Sequence, residues 1–98
     1  MVQETMLLEV NPGTQKDFEF AFKKAAVFIS QAKGCLGYEM QRCVENENKY
    51  LVMIKWETIE DHIIHFKNSE AFSEMKELIG PYYLNRPLVE HYEIVNLL

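Results

Sequence analysis

The run Tyr50-Leu51-Val52-Met53-Ile54-Lys55-Trp56 is apolar at both alternating sets of positions, Leu51 and Met53 as well as Val52 and Ile54. Successive side chains of a strand point to opposite faces, so a strand of this composition has to be covered on both sides. A chain of 98 residues is short for that task, because a domain this small leaves much of its surface exposed. Helices of the same chain can cover one face. The other is expected to meet a second copy, giving a two-fold homodimer.

The flanking sequence supplies the helices. Residues 1–10 place Val2, Met6, Leu8 and Val10 on one side of a strand and Thr5 and Glu9 on the other, before Asn11-Pro12-Gly13 breaks the pattern. From Thr14, an N-cap residue type, Phe18, Phe22, Ala25, Ile29 and Ala32 recur at three and four, which predicts an amphipathic helix ending at Gly34. Phe20 and Val27 fall on its outer side. Strands over 35–44 and 49–56, joined by Glu45-Asn46-Glu47-Asn48, read as an antiparallel hairpin. Thr58 opens a short helix over 58–67 with Asp61 three residues on and an inward stripe of Ile59, Ile63 and Phe66. Ser69 caps a further helix to Ile79, stopped by Gly80-Pro81, and residues 88–95 after Pro87 read as the last strand. The order β-α-β-β-α-α-β predicts one ferredoxin-like α+β domain over 1–98, a four-stranded antiparallel sheet with its helices on one face.

Charge and cysteine usage narrow the partners. A net charge of -5 with scattered Lys and Arg argues against nucleic acid. No apolar run approaches the roughly 20 residues that cross a bilayer, and the N-terminus lacks a signal-peptide pattern, so no membrane and a cytoplasmic location are expected. Cys35 and Cys43 fall on one predicted strand, roughly 26 Å apart, whereas a disulfide needs Cα atoms within about 7 Å; both thiols are expected to be free. His62 and His65 form an i, i+3 pair without a third metal ligand in a recognisable pattern, so no metal is expected. No G-x-S-x-G, G-x-G-x-x-G or P-loop is present, and the carboxylates read as a solvated surface.

The candidate site lies at the junction between the second hairpin strand and the helix after it. Trp56 is the only tryptophan. His62 lies beside the apolar stripe and His65 is turned away from it. His91 and Tyr92 point to opposite faces of the last strand. Tyr38, Tyr82 and Tyr83 can donate to a phenolic or quinone oxygen, and Arg86 can stabilise a phenolate.

The blocks Trp56-Glu57-Thr58-Ile59-Glu60-Asp61-His62 and Phe66-Lys67-Asn68-Ser69-Glu70-Ala71-Phe72, followed by Gly80-Pro81-Tyr82-Tyr83 and Val89-Glu90-His91-Tyr92-Glu93, resemble the antibiotic biosynthesis monooxygenase domain family. The resemblance covers nearly the whole chain and implies a dimeric α+β barrel. It implies a cofactor-independent monooxygenase that oxidises a small aromatic quinol- or anthrone-like compound with O2. The alternative is a non-catalytic dimeric module that binds or protects a small hydrophobic compound. Trp56 matches the family's strand-end tryptophan, and Ser69 and Phe72 match its helix block. His62 matches the histidine of one branch, while His65 stands nine residues after the tryptophan, as in many other members. The resemblance thus implies a catalytic His62 and a substrate pocket bounded by Trp56, Tyr38, His91, His65, Phe66 and Phe72. Haem degradation fits less well, because Lys76 stands where that branch would place its ligating histidine.

Overall fold

The computed structural model describes all 98 residues. Strand β1 (Val2–Glu9) leads into helix α1 (Gln15–Ser30), then the hairpin β2 (Cys35–Arg42) and β3 (Lys49–Trp56), a π-helical turn (Asp61–Phe66), helix α2 (Glu70–Ile79), a 3-10 turn (Gly80–Tyr82) and β4 (Leu88–Tyr92). The antiparallel sheet has the order β2-β3-β1-β4. This is the ferredoxin-like α+β arrangement that the order of elements predicts.

The in-phase residues of the central strands make the floor of the core. Met6, Leu8 and Val10 from β1 and its extension, and Tyr50, Val52, Ile54 and Trp56 from β3, are buried against Phe18, Phe22, Ala25 and Ile29 of α1 and Met75 and Ile79 of α2. Burying side chains of this size stabilises each by about 1.5–3 kcal/mol relative to exposure. The opposite set, including Leu7, Leu51 and Met53, is only half-buried in the single chain. Leu88 and Tyr92 of β4 pair with Leu7 and Gln3, and so extend that uncovered face.

Local chemistry departs from expectation in four places. Thr14 precedes α1 but does not cap it: its hydroxyl donates to the Asn11 carbonyl at 2.6 Å and tightens the turn instead. Helix α1 ends at Ser30, and Gly34, at φ +83°, turns the chain into β2. The last strand stops at Tyr92 rather than continuing to 95, and its pairing with β1 ends there, opposite Gln3. The stretch after Thr58 is wider than an α-helix. Thr58 Oγ1 does accept from the Asp61 N–H at 3.2 Å, but the Lys67 N–H reaches back five residues to His62 at 3.0 Å. Five-residue spacing rotates the apolar stripe, so Ile63 is 42 % exposed while Asp61, His62 and Phe66 are buried. Ser69 caps α2 as its sequence suggests, accepting from the Phe72 N–H at 3.2 Å.

Candidate functional site

Alternation along β1 puts Glu4 in phase with Met6 and Leu8, so a carboxylate points into the core from a central strand. Its neighbours in register are Ile54 on β3 and His91 on β4. Glu4 is 5 % exposed, and Oε1 accepts from the Trp56 indole N–H at 2.9 Å. Burial pushes its carboxyl above the usual carboxylate range, against the opposing effects of that hydrogen bond and of the Lys67 ammonium. The expectation that every carboxylate is solvated fails here, because the strand period, not the residue's polarity, decides which way Glu4 points.

The π-helical turn sets His62 directly over this carboxylate. The His62 ring lies parallel to Trp56, at 15° and 5.4 Å between centroids. Its Nε2 is 3.4 Å from Glu4 Oε1, long for an aligned hydrogen bond but close enough for a carboxylate to attract the ring once it takes a proton. Its Nδ1 is 2.7 Å from His91 Nε2. A hydrogen bond between two imidazoles needs one nitrogen bare and the other protonated, so the pair holds at most one extra proton. Burial first, then the charges of His91 and Lys67, hold the His62 pKa down to about 4. Burial, then Lys67, lowers His91 as well. His62 is therefore a neutral base at neutral pH, with a carboxylate poised to stabilise the imidazolium it would become.

Beside this trio opens a cavity of about 660 Å³, within the range of small-molecule sites. Glu4 and His62 form part of its wall, and Met6, Ile29, Val52 and Met75 make it apolar. Phe66 and Phe72 meet edge to face at 5.6 Å and line it too. Tyr83, whose hydroxyl burial pushes up to about 12, and Arg86 lie on the side nearer β4. Trp56 is fully buried behind His62 and supports the ring rather than lining the cavity. His91 stands likewise in the second row, on the helix side of β4.

The structure does not bring Tyr38 or His65 to this cavity. Tyr38, on the edge strand β2, is 44 % exposed and borders a shallow depression with Leu36 and Met53. His65 points to solvent from the outer side of the π turn. Tyr82 packs edge-on to Phe18 in the core. A larger hollow near Gly13, Lys16, Arg42 and Glu47 is polar, open and without a buried titratable group. Glu4 is the residue that sequence reasoning missed. The signal was present: a glutamate at an inward position of an alternating central strand.

A family model for antibiotic biosynthesis monooxygenases matches residues 1–78. The chain belongs to the antibiotic biosynthesis monooxygenase family. YczJ of Bacillus subtilis (strain 168), an uncharacterised protein, is 39 % identical over 95 residues, covering 97 % of this chain and all of YczJ. A solved family protein from Bordetella bronchiseptica is 32 % identical, covers 97 % of each chain and superposes with a TM-score of 0.93. SnoaB of Streptomyces nogalater, a cofactor-independent oxygenase, shares the fold at TM-score 0.85 but only 15 % identity, over 99 % of this chain and 95 % of its own. The family match ends before β4, the strand that contributes His91 to the trio.

Proposed function

We propose that this chain works as a homodimer that oxidises a small electron-rich aromatic compound, quinol- or anthrone-like, with O2 and without a bound cofactor. The observation that carries the reading is a neutral imidazole, His62, held between a buried carboxylate and a second imidazole in the wall of an apolar cavity. A hydroxyl of the bound substrate gives its proton to His62 Nε2, the nitrogen not bonded to His91. Glu4 then faces the imidazolium at 3.4 Å, and the low-dielectric surroundings strengthen that attraction. The resulting phenolate or enolate is the reductant. It reduces O2 at carbon, a C–O bond forms, and the O–O bond breaks. For an anthrone-like CH2 group, one oxygen atom stays as the new carbonyl and the other leaves as water with the two hydrogens of that carbon. The substrate supplies all four electrons.

Apolar walls favour this step, because they exclude water from the carbanionic form and hold it near O2. The likeness to SnoaB in fold is consistent with such chemistry, and family membership supports the oxygenase class. Free Cys35 and Cys43 fit a reducing cytoplasm. The half-covered face of the sheet supports a second subunit.

Oxygen uptake by chelator-treated protein, measured with naphthoquinols, anthrones and catechols and corrected for autoxidation, tests the reading. A protein-dependent rate that His62→Ala lowers by about 10²–10⁴-fold is expected of a general base. Tight binding without oxygen uptake would replace the oxygenase with a binding or protective module of the same fold.

A further inference from the structure

The cavity's mouth carries charge of the opposite sign to the rest of the chain. The chain has 15 acidic residues against 10 Lys and Arg. Around the cavity stand three cations, Lys67, Lys76 and Arg86, and a single carboxylate, Glu4, which is turned inward to Trp56. The cations come from three separate segments: the end of the π-helical turn, α2, and the loop before β4. None is within 4 Å of a carboxylate: the one Lys or Arg in such a pair is Arg42, with Glu19, and Glu4 meets only the neutral His62 ring at that range. Lys76 Nζ lies 5.6 Å from the Phe72 ring, directly above the aromatic part of the wall. Lys67 already acts electrostatically on Glu4, His62 and His91. Three elements thus deliver unpaired positive charge to the rim of one apolar cavity.

We infer that the ligand of this cavity is an aromatic compound bearing an anionic substituent, a carboxylate or a phosphate, whose ring lies against Phe66 and Phe72 and whose anion is held by Lys67, Lys76 and Arg86. The inference deepens the proposed oxygenase reading by naming the substrate class, and it rests on the same cavity. An apolar floor with a cationic rim orients such an amphiphile in one direction. The ring goes in towards His62 and the anion stays at the mouth, where the arginine fork and two ammonium groups accept either anion's geometry. Placed so, the anion fixes which ring hydroxyl meets His62. The rim also raises the local concentration of an anionic ligand despite the acidic surface elsewhere.

Binding, not turnover, is the test, so that its failure can be told apart from failure of the oxygenase reading. Isothermal titration calorimetry with 1-naphthol, 1-naphthoate and 1-naphthyl phosphate compares one ring with and without an anion. At low ionic strength we expect at least one of the two anions to bind about tenfold tighter than 1-naphthol, and the stronger one names the anion. Added salt should shrink the ratio. In the double variant Lys76→Gln/Arg86→Gln the ratio should fall towards one. Equal binding of all three ligands, or a ratio unchanged in the double variant, would overturn the anionic substituent and leave the aromatic cavity standing. Absence of binding by any of them would overturn both.

Discussion

His62 and Glu4 are two buried groups whose charges are suppressed in opposite senses, and their pH behaviour follows from that. A histidine with a folded-state pKa of about 4 binds its proton more readily when the chain is unfolded, where its value is near 6.5. Its contribution to stability is therefore full above 6.5 and is lost as pH falls from there towards 4. Glu4 has the reverse sign. Its folded pKa is raised, so the unfolded chain releases that proton first and stability declines as pH rises above about 4.5. Urea midpoints measured between pH 4 and 8 should accordingly rise more steeply with pH in Glu4→Gln than in the parent, and less steeply in His62→Gln. Parallel curves for all three proteins would show that neither group titrates abnormally. Gln at position 4 can still accept the Trp56 N–H, which keeps the test from becoming one of folding. In kinetics the same depression moves the acid limb of kcat/KM: its midpoint should fall near 4 rather than near 6.5, as a property of the Glu4–His62–His91 group together. The place of His62 beside the candidate cavity was legible from the turn after an apolar strand, whereas Trp56, expected to bound the pocket, instead backs the His62 ring. Glu4 was not, because its acidity drew the eye away from its phase, and neither was the contact of His91 with His62, which depends on the pairing of β4 with β1.

The π-helical turn is the element that makes the site. With α-helical spacing, Ile63 would turn inward with Ile59 and Phe66, as the periodicity alone suggests. The five-residue bond of Lys67 to His62 instead leaves Ile63 outside and seats Asp61, His62 and Phe66 inward. Elements with a steady period, α1 and β3 above all, were legible because burial simply follows that period. The π turn was not, since its extra residue is set by what it packs on. One such contact is Gly34. At φ +83° it occupies a conformation that disfavours other residues, and a Cβ there would collide with the Asp61 carboxyl. Gly34→Ala should cost more than about 1 kcal/mol in urea unfolding, and it should also disturb His62. The aromatic wall offers a second check: Phe66→Ala is expected to cost about 3–5 kcal/mol. If Gly34→Ala left both the urea midpoint and the His62 ring signals in NMR unchanged, Asp61 would not be what anchors the turn.

For the whole molecule the decisive quantity is the sheet face that no helix covers. Leu7, Leu51 and Met53 lie there beside Leu88 and Tyr92, which are 53 % and 54 % exposed, and polar Gln3, Thr5, Glu39 and Lys55 interrupt them. A face of that mixture, apolar at its centre with polar residues between, suits the interface of the proposed homodimer. Beyond β4, Ile94, Val95, Leu97 and Leu98 are also exposed. Each subunit would thereby cover the strand β3 on its second side, the requirement that its two-sided apolar sequence imposes. Sedimentation equilibrium at micromolar concentration should therefore give about twice the 11.6 kDa of the chain. Met53→Glu places a charge in the middle of the face, opposite Glu39 on β2 and Thr5 on β1. In the dimer it would repel its counterpart or lie buried without a partner. The variant should sediment as a monomer while keeping the Trp56 fluorescence of a folded core, because position 53 points away from α1 and α2. A parent protein that sediments as a monomer would remove the second subunit from the argument. It would leave the Glu4–His62–His91 trio untouched, since all three groups come from one chain.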